Sequence, residues 1–316
     1  MERILDEVKE AKSIGITGHI RPDGDCVGAC MAMYMYLKKC MPSDTVIDII
    51  MEEPGEIFDC IKDIKERKEF PRRQPYDVFM VIDTTHDRIG TALPGFEKAK
   101  KTINIDHHIS NSGEGDVSYI RADASSASEL VFELLDKDKL DDDIAMALYI
   151  GIIHDTGVLQ YSNTSPKTLR VVADLLEYKF DYPHLIDSTF YQKTYVQNQI
   201  LGRVLSESIV FMNGKCIVGG LDKKTMDFYG VNSNDMSGIV SQLRYTTGTE
   251  VAIFMYELES QKWKVSLRAN GDVDVSKVAE YFGGGGHVKA SGCNICGSFY
   301  DVVNNLSERL ALQMEY

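Results

Sequence analysis

The sequence predicts an α/β protein with two domains: a mostly parallel sheet with helices on both faces, followed by a smaller α/β domain. Short apolar runs alternate with helical patterns up to about residue 180. Such alternation is typical of parallel sheets that are covered on both faces by helices. The chain has 316 residues, of which 44% are hydrophobic, and this is enough to form two separate cores.

The elements of the first domain are predicted from the period of the apolar residues. Short apolar runs predict strands at 13–18, 45–50, 77–82 and 101–105. Apolar residues three and four positions apart predict helices at 26–39, 126–136, 142–153 and 166–177. The apolar stripe of the first of these helices includes Met33 and Leu37, and we interpret it as core.

The second domain begins after a polar, helical stretch that we interpret as a connector. We predict a first domain over 1–182, a helical linker over 183–206 and a second domain over 207–316. In the second domain the same patterns predict strands near 208–212, 215–220, 250–257 and 262–268, and helices near 235–244, 274–281 and 302–314.

Carboxylate and imidazole side chains follow several predicted strands of the first domain. Six of these side chains are candidate metal ligands: His19, Asp23, Asp25, Asp83, His107 and Asp155. Residues two apart in an extended loop point the same way, so Asp23 and Asp25 can each serve one of two neighbouring cations. Asp83 ends a buried strand, from which it could bridge both. In open α/β sheets, ligands bind where these residues fall, at the carboxyl ends of the strands.

Helix capping is the alternative explanation for any single aspartate in this set, because Asp is a preferred N-cap residue. Capping does not require the histidines that accompany the carboxylates at three of the junctions. The set as a whole therefore favours a metal site over a series of unrelated caps.

Four segments of the first domain resemble the motifs of the DHH phosphoesterase superfamily, which is named for the triplet Asp106-His107-His108. The other three segments are residues 18–25, 81–83 and 154–156. The glycine-rich segment 283–287 resembles the signature of the DHH-associated substrate-binding domain, so the resemblance spans nearly the whole chain. Five motifs in family order are far more specific than the triplet alone.

The resemblance implies a role for each matched residue of the first domain. The two implied metal positions share Asp83: one is formed by His19, Asp23 and Asp83, and the other by Asp25, Asp83, His107 and Asp155. Asp106 would support the site from behind the ligands, and His108 would face the substrate phosphate or the attacking hydroxide. The active site would lie in the cleft between the domains. Relatives often carry Ser or Thr where His154 stands, and its role stays open.

The donor types narrow the choice of metal. Carboxylate and imidazole donors without cysteine suit Mn²⁺ and tolerate Co²⁺ or Mg²⁺, whereas structural zinc sites are more often rich in thiolates. We therefore predict two manganese ions. Their function would be to lower the pKa of a bridging water and to hold two phosphate oxygens during hydrolysis.

The glycine run of the second domain is the main candidate for substrate binding there. Backbone without side chains lets amides approach a phosphate or a base closely, and a flexible hairpin tip is the alternative. We favour binding by Gly284, Gly285, Gly286 and His287, because residues 287–291 suggest a helix start and helix starts attract anions. In proteins similar to this one, an arginine at the position of Arg268 contacts the nucleotide.

The formal net charge of −14, from 48 acidic and 34 basic residues, bears on the size of the substrate. A long nucleic acid requires a broad basic surface, which this composition does not provide. A substrate of about one to three nucleotides needs only a few cations. The candidates are Arg88, Arg268, Lys289, Arg121 and Arg244. For the last two, a solvated surface charge is an equally good interpretation.

The cellular location is predicted from the cysteines and from the absence of long apolar runs. Seven cysteines, an odd number in apolar or helical contexts, indicate reduced thiols inside a cell. No apolar run approaches the length of a membrane span, and the acidic helical pattern of residues 1–7 lacks the apolar segment of a secretory signal. We predict a cytoplasmic protein without a membrane partner, and the resemblance implies a homodimer.

We predict a manganese-dependent phosphoesterase that acts on very short nucleotides. The resemblance implies hydrolysis of short RNA oligonucleotides, and of linear dinucleotides such as pApA from cyclic di-AMP, to nucleoside 5′-monophosphates. It also implies removal of the 3′-phosphate from 3′-phosphoadenosine 5′-phosphate (pAp). Two alternatives stay open: a family II inorganic pyrophosphatase, which lacks the glycine run, and a module that binds dinucleotides without cleaving them. His86 matches no motif and is interpreted as a local polar partner.

Overall fold

The computed structural model describes residues 4–314 and divides the chain into two compact units, Met1–Gln192 and Lys193–Tyr316. Each unit has its own sheet and its own hydrophobic core. The predicted α/β class with a second, smaller α/β unit is therefore confirmed. The helical pattern predicted for residues 1–3 lies outside the described residues.

The sheet of the first unit is parallel throughout and, within the described chain, has five strands. They are β1 (Ser13–Thr17), β2 (Val46–Ile50), β3 (Val78–Ile82), β4 (Thr102–Asp106) and β5 (Val117–Ile120). Their order is β2-β1-β3-β4-β5. β5 has no counterpart among the predicted strands, because this short edge strand is only partly buried and its apolar signal is weak.

Helices cover both faces of this sheet. They are α1 (Ile4–Val8), α2 (Gly24–Cys40), α3 (Leu93–Glu97), α4 (Ala127–Leu134), α5 (Asp142–Asp155), α6 (Pro166–Leu175) and α7 (Tyr182–Ile186). α2 and α4 pack on one face, and α5 packs across both of them. α3 contacts β3 on the other face, over a small core around Phe79. Because α2 lies between the sheet and α5, residues 24–37 are buried on all sides of the helix. The predicted core stripe is therefore buried, but it is only one part of the buried surface of α2.

Asp77 fixes the beginnings of β1 and β3. Its Oδ2 accepts hydrogen bonds from the backbone N–H groups of Lys12 and Ser13 at 2.9 and 3.0 Å and from the Ser13 hydroxyl at 3.1 Å. Lys100 Nζ donates to Oδ1 at 2.7 Å. These contacts, above all the one with Lys100, lower the pKa of Asp77 to about 2.

Replacing Asp77 by asparagine is expected to reduce the free energy of unfolding by about 1–2 kcal/mol at pH 7, because hydrogen bonds to charged groups are worth this much. The folded pKa lies below the unfolded value of about 3.9, so the carboxylate stabilises the fold above that pH and loses its contribution as the pH falls toward 2. Urea unfolding at pH 7 and pH 3 checks the sign: the loss is expected to be smaller at pH 3. Asp44→Asn, in an exposed pair with Lys12, is the control and should change stability by less than about 0.5 kcal/mol. An equal loss for Asp77→Asn at both pH values would contradict this.

The second unit is built on a mixed sheet of six strands, counted over the described residues. They are β6 (Ile209–Phe211), β7 (Cys216–Leu221), β8 (Val251–Glu259), β9 (Lys262–Ala269), β10 (Gly285–His287) and β11 (Ala290–Cys296). Their order is β10-β11-β9-β8-β7-β6, and only β7 and β8 are parallel neighbours. The helices are α8 (Tyr195–Ser206), α9 (Lys223–Tyr229), α10 (Ile239–Arg244), α11 (Val275–Tyr281) and α12 (Phe299–Ala311).

The predicted helix start at residues 287–291 is wrong. The glycine run follows the end of α11 and enters a β-hairpin, in which β10 pairs antiparallel with β11. A Cβ at Gly284 would lie 2.2 Å from the carbonyl oxygen of Gly292, so glycine there permits an unusually close approach of two backbones. The predicted anion attraction by a helix start therefore does not apply to this segment.

The predicted helix over 235–244 is shorter than expected. Gly238 has a φ of +82° and separates a 3₁₀ turn at Ser233–Met236 from α10, because this left-handed conformation interrupts a helix.

Over residues 4–314, no helix combines the length and the apolar character that a bilayer-spanning segment requires.

Candidate metal centre

The candidate site lies at the carboxyl ends of β1, β3 and β4. Thr17 of β1 is paired with Val81 of β3, which is paired in turn with Asn104 of β4. His19, Asp83 and Asp106 each follow one of these three paired residues by two positions. The strand register alone therefore brings them to the same level of the sheet edge. β1 lies between β2 and β3, so the chain adds β2 on one side of β1 and β3 on the other. Where the strand order reverses in this way, a crevice opens at the carboxyl ends of the strands.

Asp83 is at the centre of the cluster, and its two carboxylate oxygens face different histidines. Oδ2 lies 3.6 Å from His19 Nε2, which is also 3.6 Å from Asp23 Oδ1. Oδ1 lies 3.4 Å from His107 Nε2. Asp83 thus stands between two groups of donors, and its Oδ1 is buried without a hydrogen-bond partner among the described atoms.

The second group of donors surrounds His107. Its Nε2 lies 3.8 Å from Asp25 Oδ2 and 3.9 Å from Asp155 Oδ2, in addition to its approach to Asp83. Metal–ligand bonds of about 2.0–2.2 Å place neighbouring donors around one ion roughly 3 to 4 Å apart. The donor separations therefore fit two adjacent divalent cations that share Asp83.

Buried carboxylates dominate the electrostatics of the cluster. Burial acts to lower the pKa of His19, but its contacts with two aspartates raise it to about 12. Burial has the same effect on His107, yet Asp83, Asp25 and Asp155 raise its pKa to about 10. Burial and the charge of Asp83 raise the pKa of Asp25. The raised pKa values of the two histidines reflect the concentration of negative charge in the cluster, which a divalent ion would neutralise.

Asp106 is engaged by protein groups, although one of its oxygens lies within 4.8 Å of donor atoms of Asp83 and His107. Its Oδ1 accepts hydrogen bonds from the backbone N–H groups of His107 and His108, at 2.7 and 3.1 Å, and from His108 Nδ1 at 2.7 Å. Its Oδ2 accepts from Asn111 Nδ2 at 2.6 Å. Asp106 thereby fixes the ring of His108, leaving Nε2 available. The bond with Asp106 also raises the pKa of His108.

Three asparagines that the sequence patterns do not single out support the ligands. Asn111 donates to Asn104 Oδ1 as well as to Asp106, and Asn104 donates to the carbonyl oxygens of Val81 and Thr84. Asn163 donates to Asp155 Oδ2 at 3.1 Å. An asparagine inside the apolar run of β4 is the one signal in the sequence that points to this support, because a buried amide requires partners.

Asp23 and Asp25 also perform the capping role that was the alternative explanation for each aspartate. Asp23 is the N-cap of α2 and accepts from the N–H groups of Asp25 and Cys26. Asp25 accepts from the N–H groups of Ala127 and Ser128 at the start of α4. Both N–H bonds to Asp23 go to Oδ1, which leaves Oδ2 open, and each Asp25 oxygen accepts only one of its two N–H bonds, so a cap and a metal ligand are compatible in one side chain.

Four of the eight described non-glycine residues with positive φ lie at or near the candidate ligands. Asp83 itself has a φ of 64°, Arg21 has 53°, and Val158 and Leu159, shortly after Asp155, have 56° and 64°. Left-handed backbone is costly for non-glycine residues, above all for a β-branched one, and such strain clusters at functional sites.

Cys26 is an additional neighbour of the centre. Its sulfur, a His19 nitrogen and an Asp83 oxygen lie within 4.8 Å of one another. Burial, with a further contribution from Cys30, raises the pKa of the Cys26 thiol. By its position, the thiol is one of the candidate donor groups around His19 and Asp83.

A cavity of about 330 Å³ adjoins His108, at the lower end of the range for small-molecule sites. It is lined by Thr84, Thr85, Asp87, Arg88, Asp106, His108, Ser110 and Glu114. His86 lies nearby, stacked on Phe96 with ring centroids 5.3 Å apart and with Nδ1 against Glu114. Its position agrees with the predicted local polar role.

Arg268 and His287 belong to the second unit and share a face of its sheet. His287 pairs with Ala290, and Ala290 pairs with Arg268. Residues in one cross-strand row project to the same face. Gly285, in the same strand as His287, has no atom within 4 Å of the position of a Cβ, so its backbone is accessible.

The predicted site residues therefore fall into two sets. Asp106, His108 and all six predicted metal ligands lie together in the first unit, with Arg88 at the adjoining cavity. Arg268 and the segment 284–287 lie in the second unit. Their individual roles stay predictions.

Known proteins match both units. Residues 13–152 match the model of the DHH family, N-terminal domain, and residues 213–315 match the DHHA1 domain. The bifunctional oligoribonuclease and PAP phosphatase NrnA of Thermus thermophilus is 28% identical over 302 residues, which cover 93% of this chain and 88% of the relative. A probable bifunctional oligoribonuclease and PAP phosphatase NrnA of Streptococcus mutans is 30% identical over 297 residues, which cover 92% of each chain.

A solved structure shares the fold. The crystal structure of an exopolyphosphatase-related protein from Bacteroides fragilis has a TM-score of 0.88 to this chain at 22% identity, covering 97% of this chain and 94% of that one. A fold with a cluster of carboxylates and imidazoles at its strand ends, together with these relatives, defines a phosphoesterase, a hydrolase that acts on phosphate esters. The chain belongs to the DHH family and carries a DHHA1 domain after the N-terminal one.

Proposed function

We propose that the chain is a two-metal phosphoesterase that hydrolyses short nucleotides carrying a phosphate on a ribose 3′-oxygen. Its substrates are short oligoribonucleotides, linear dinucleotides such as pApA, and pAp. The position of Asp83 carries this proposal: one carboxylate oxygen faces His19 at 3.6 Å and the other faces His107 at 3.4 Å. A carboxylate between two donor groups is what a pair of metal ions requires.

We assign the two metal positions to the two groups of donors. The assignment is His19, Asp23 and Asp83 for one ion, and Asp25, Asp83, His107 and Asp155 for the other. Oxygen and imidazole donors favour Mn²⁺, with Co²⁺ or Mg²⁺ as substitutes. When bound, two such ions lower the pKa of a water and neutralise charge on the phosphate.

His108 is proposed to stabilise the phosphate during the reaction. Asp106 holds Nδ1, so that Nε2 can donate to a phosphate oxygen, and Asp106 raises the pKa of the imidazole and favours its charged form. The side chain is 34% exposed and lines the cavity that also contains Arg88. We assign Arg88 to a second phosphate or to the leaving nucleotide.

The same bond breaks in every proposed substrate. Water supplies the new oxygen on phosphorus, and the bond between phosphorus and the ribose 3′-oxygen is cleaved. With pApA the products are two molecules of AMP, and with pAp they are AMP and inorganic phosphate. The names of the relatives, an oligoribonuclease and PAP phosphatase, support this pair of substrates.

Recognition of the nucleotide is assigned to Arg268, His287 and the backbone of residues 284–286. Arg268 and His287 share a face of the second sheet, where a guanidinium and an imidazole can contact one short substrate. The net charge of −14 gives no broad basic surface for a long strand. The homodimer and the cytoplasmic location stay predictions.

Product analysis in ¹⁸O-labelled water tests the proposal. The full chain with Mn²⁺ is incubated separately with pApA, a 5′-phosphorylated trinucleotide, pAp and pyrophosphate. We expect AMP from pApA with label in one of the two phosphates, and AMP with labelled inorganic phosphate from pAp. Cleavage of pyrophosphate alone would indicate a pyrophosphatase instead. Binding of pApA without product would indicate a sensing module.

A further inference from the structure

His154 lies beside the metal centre and is used by neither group of donors. It immediately precedes Asp155 near the end of α5, and its ring is in contact with Gly24, between Asp23 and Asp25. A Cβ on Gly24 would lie 2.2 Å from His154 Cγ and 2.5 Å from Nδ1. The ring therefore occupies the space that any other residue at position 24 would need.

The ring is held in place from three directions. Phe58 packs at a centroid distance of 5.2 Å, and Phe190 makes an edge contact at 5.5 Å. His154 Nε2 and Thr189 Oγ1 are 3.0 Å apart. These partners come from separate segments, a 3₁₀ turn at Glu56–Phe58 and a π-helical turn at Asp187–Tyr191.

The hydrogen bonds fix the tautomer of the ring. The Thr189 hydroxyl donates its one proton to the carbonyl oxygen of Leu185 at 2.7 Å, so it can only accept from His154. Nε2 of His154 therefore carries a proton. In the neutral ring, Nδ1 has none, and this is the atom that faces Gly24.

We propose that His154 is a positioning residue that fixes the Asp23–Asp25 loop by packing its ring against Gly24. This inference rests on the proposed function only in that Asp23 and Asp25 are metal ligands. Both aspartates depend on the place of this segment at the start of α2, because Asp23 caps α2 and Asp25 accepts from the first two N–H groups of α4. Loss of a group that orients metal ligands typically costs about 10- to 100-fold in metal affinity.

A double-mutant cycle tests the contact on the full chain. We measure the Mn²⁺ dissociation constant, by the electron paramagnetic resonance of free Mn²⁺, for wild type, Gly24→Ala, His154→Gly and the double variant. Each single change is expected to weaken binding by about 10- to 100-fold. In the His154→Gly background, Gly24→Ala should cost less than about threefold, because the new methyl group then meets neither the ring nor the His154 Cβ, which would otherwise lie 2.5 Å away.

Three controls separate positioning from general destabilisation. Gly202→Ala changes a helical glycine of α8 with nothing within 4 Å of the Cβ position, and should leave Mn²⁺ affinity unchanged. Unfolding in the presence of EDTA reports the stability of each variant without metal. The ranking of the variants by this stability should differ from their ranking by Mn²⁺ affinity. His154→Phe keeps the ring and loses the bond with Thr189. It should retain more affinity than His154→Gly. If His154→Gly fails to fold, His154→Ala replaces it, and the coupling should then be smaller because the Cβ at position 154 stays 2.5 Å from the new methyl group.

The outcomes distinguish this inference from the proposed function. Additive effects in the cycle, or wild-type Mn²⁺ affinity in Gly24→Ala, would overturn the positioning role even if pApA is hydrolysed. A strong coupling in a protein that binds Mn²⁺ but hydrolyses no nucleotide would support the positioning role and overturn the proposed function.

Discussion

Replacement of Asp83 by alanine is expected to reduce kcat/KM for pApA by about a thousandfold in excess Mn²⁺. The carboxylate is 2% exposed and faces both His19 and His107, so its loss removes a donor from both metal positions. A loss of roughly 4 kcal/mol of transition-state stabilisation corresponds to this factor. Steady-state kinetics with pApA, alongside equilibrium dialysis against Mn²⁺, measure the two consequences.

Two controls accompany the Asp83 variant. Asp83 has a φ of 64°, which asparagine tolerates better than alanine. Asp83→Asn therefore tests the charge with the least disturbance of the backbone. Asp123→Ala removes an exposed carboxylate of the same unit and should leave activity within about twofold. Turnover by Asp83→Ala within tenfold of wild type would contradict a shared metal ligand.

Replacement of His108 by glutamine is expected to lower kcat by about 10²- to 10³-fold, the usual effect of removing one donor that stabilises developing charge. Metal affinity should change little, because His108 belongs to neither proposed set of ligands. This separation of activity from metal binding distinguishes His108 from Asp83. The measurement is kcat together with the Mn²⁺ dissociation constant of the same preparation.

The matched control for His108 is His86→Gln. His86 is a nearby histidine that stacks on Phe96 and pairs with Glu114, without a predicted role in catalysis. Its substitution should leave kcat within about threefold of wild type. If His108→Gln retained full kcat, the assignment of His108 to the phosphate would be wrong.

The parts of the fold that could be predicted from sequence are those whose signals are local. Buried strands such as β3 are continuous apolar runs, and a carboxylate directly after such a run marks the strand end. Parallel pairing then brings separate strand ends to one edge, so the cluster around Asp83 follows from the order of the motifs. The register between β1 and β3 then sets the height of each residue, so that His19 and Asp83 lie at the same level of this edge.

The parts that could not be predicted depend on contacts between distant segments. Whether residues 287–291 begin a helix or a hairpin depends on the pairing of β11 with β9, and no local pattern reveals that pairing. The contact of His154 with Gly24 joins the end of α5 to the loop before α2. The role of Asn111 becomes visible only once Asp106 lies against it.

The most direct test of the two-metal centre is anomalous diffraction at the manganese edge from crystals equilibrated with excess Mn²⁺. We expect two anomalous peaks in each chain, on either side of the Asp83 carboxylate, one within bonding distance of His19 and the other of His107. A pocket without manganese, with these side chains turned away from one another, would contradict the account.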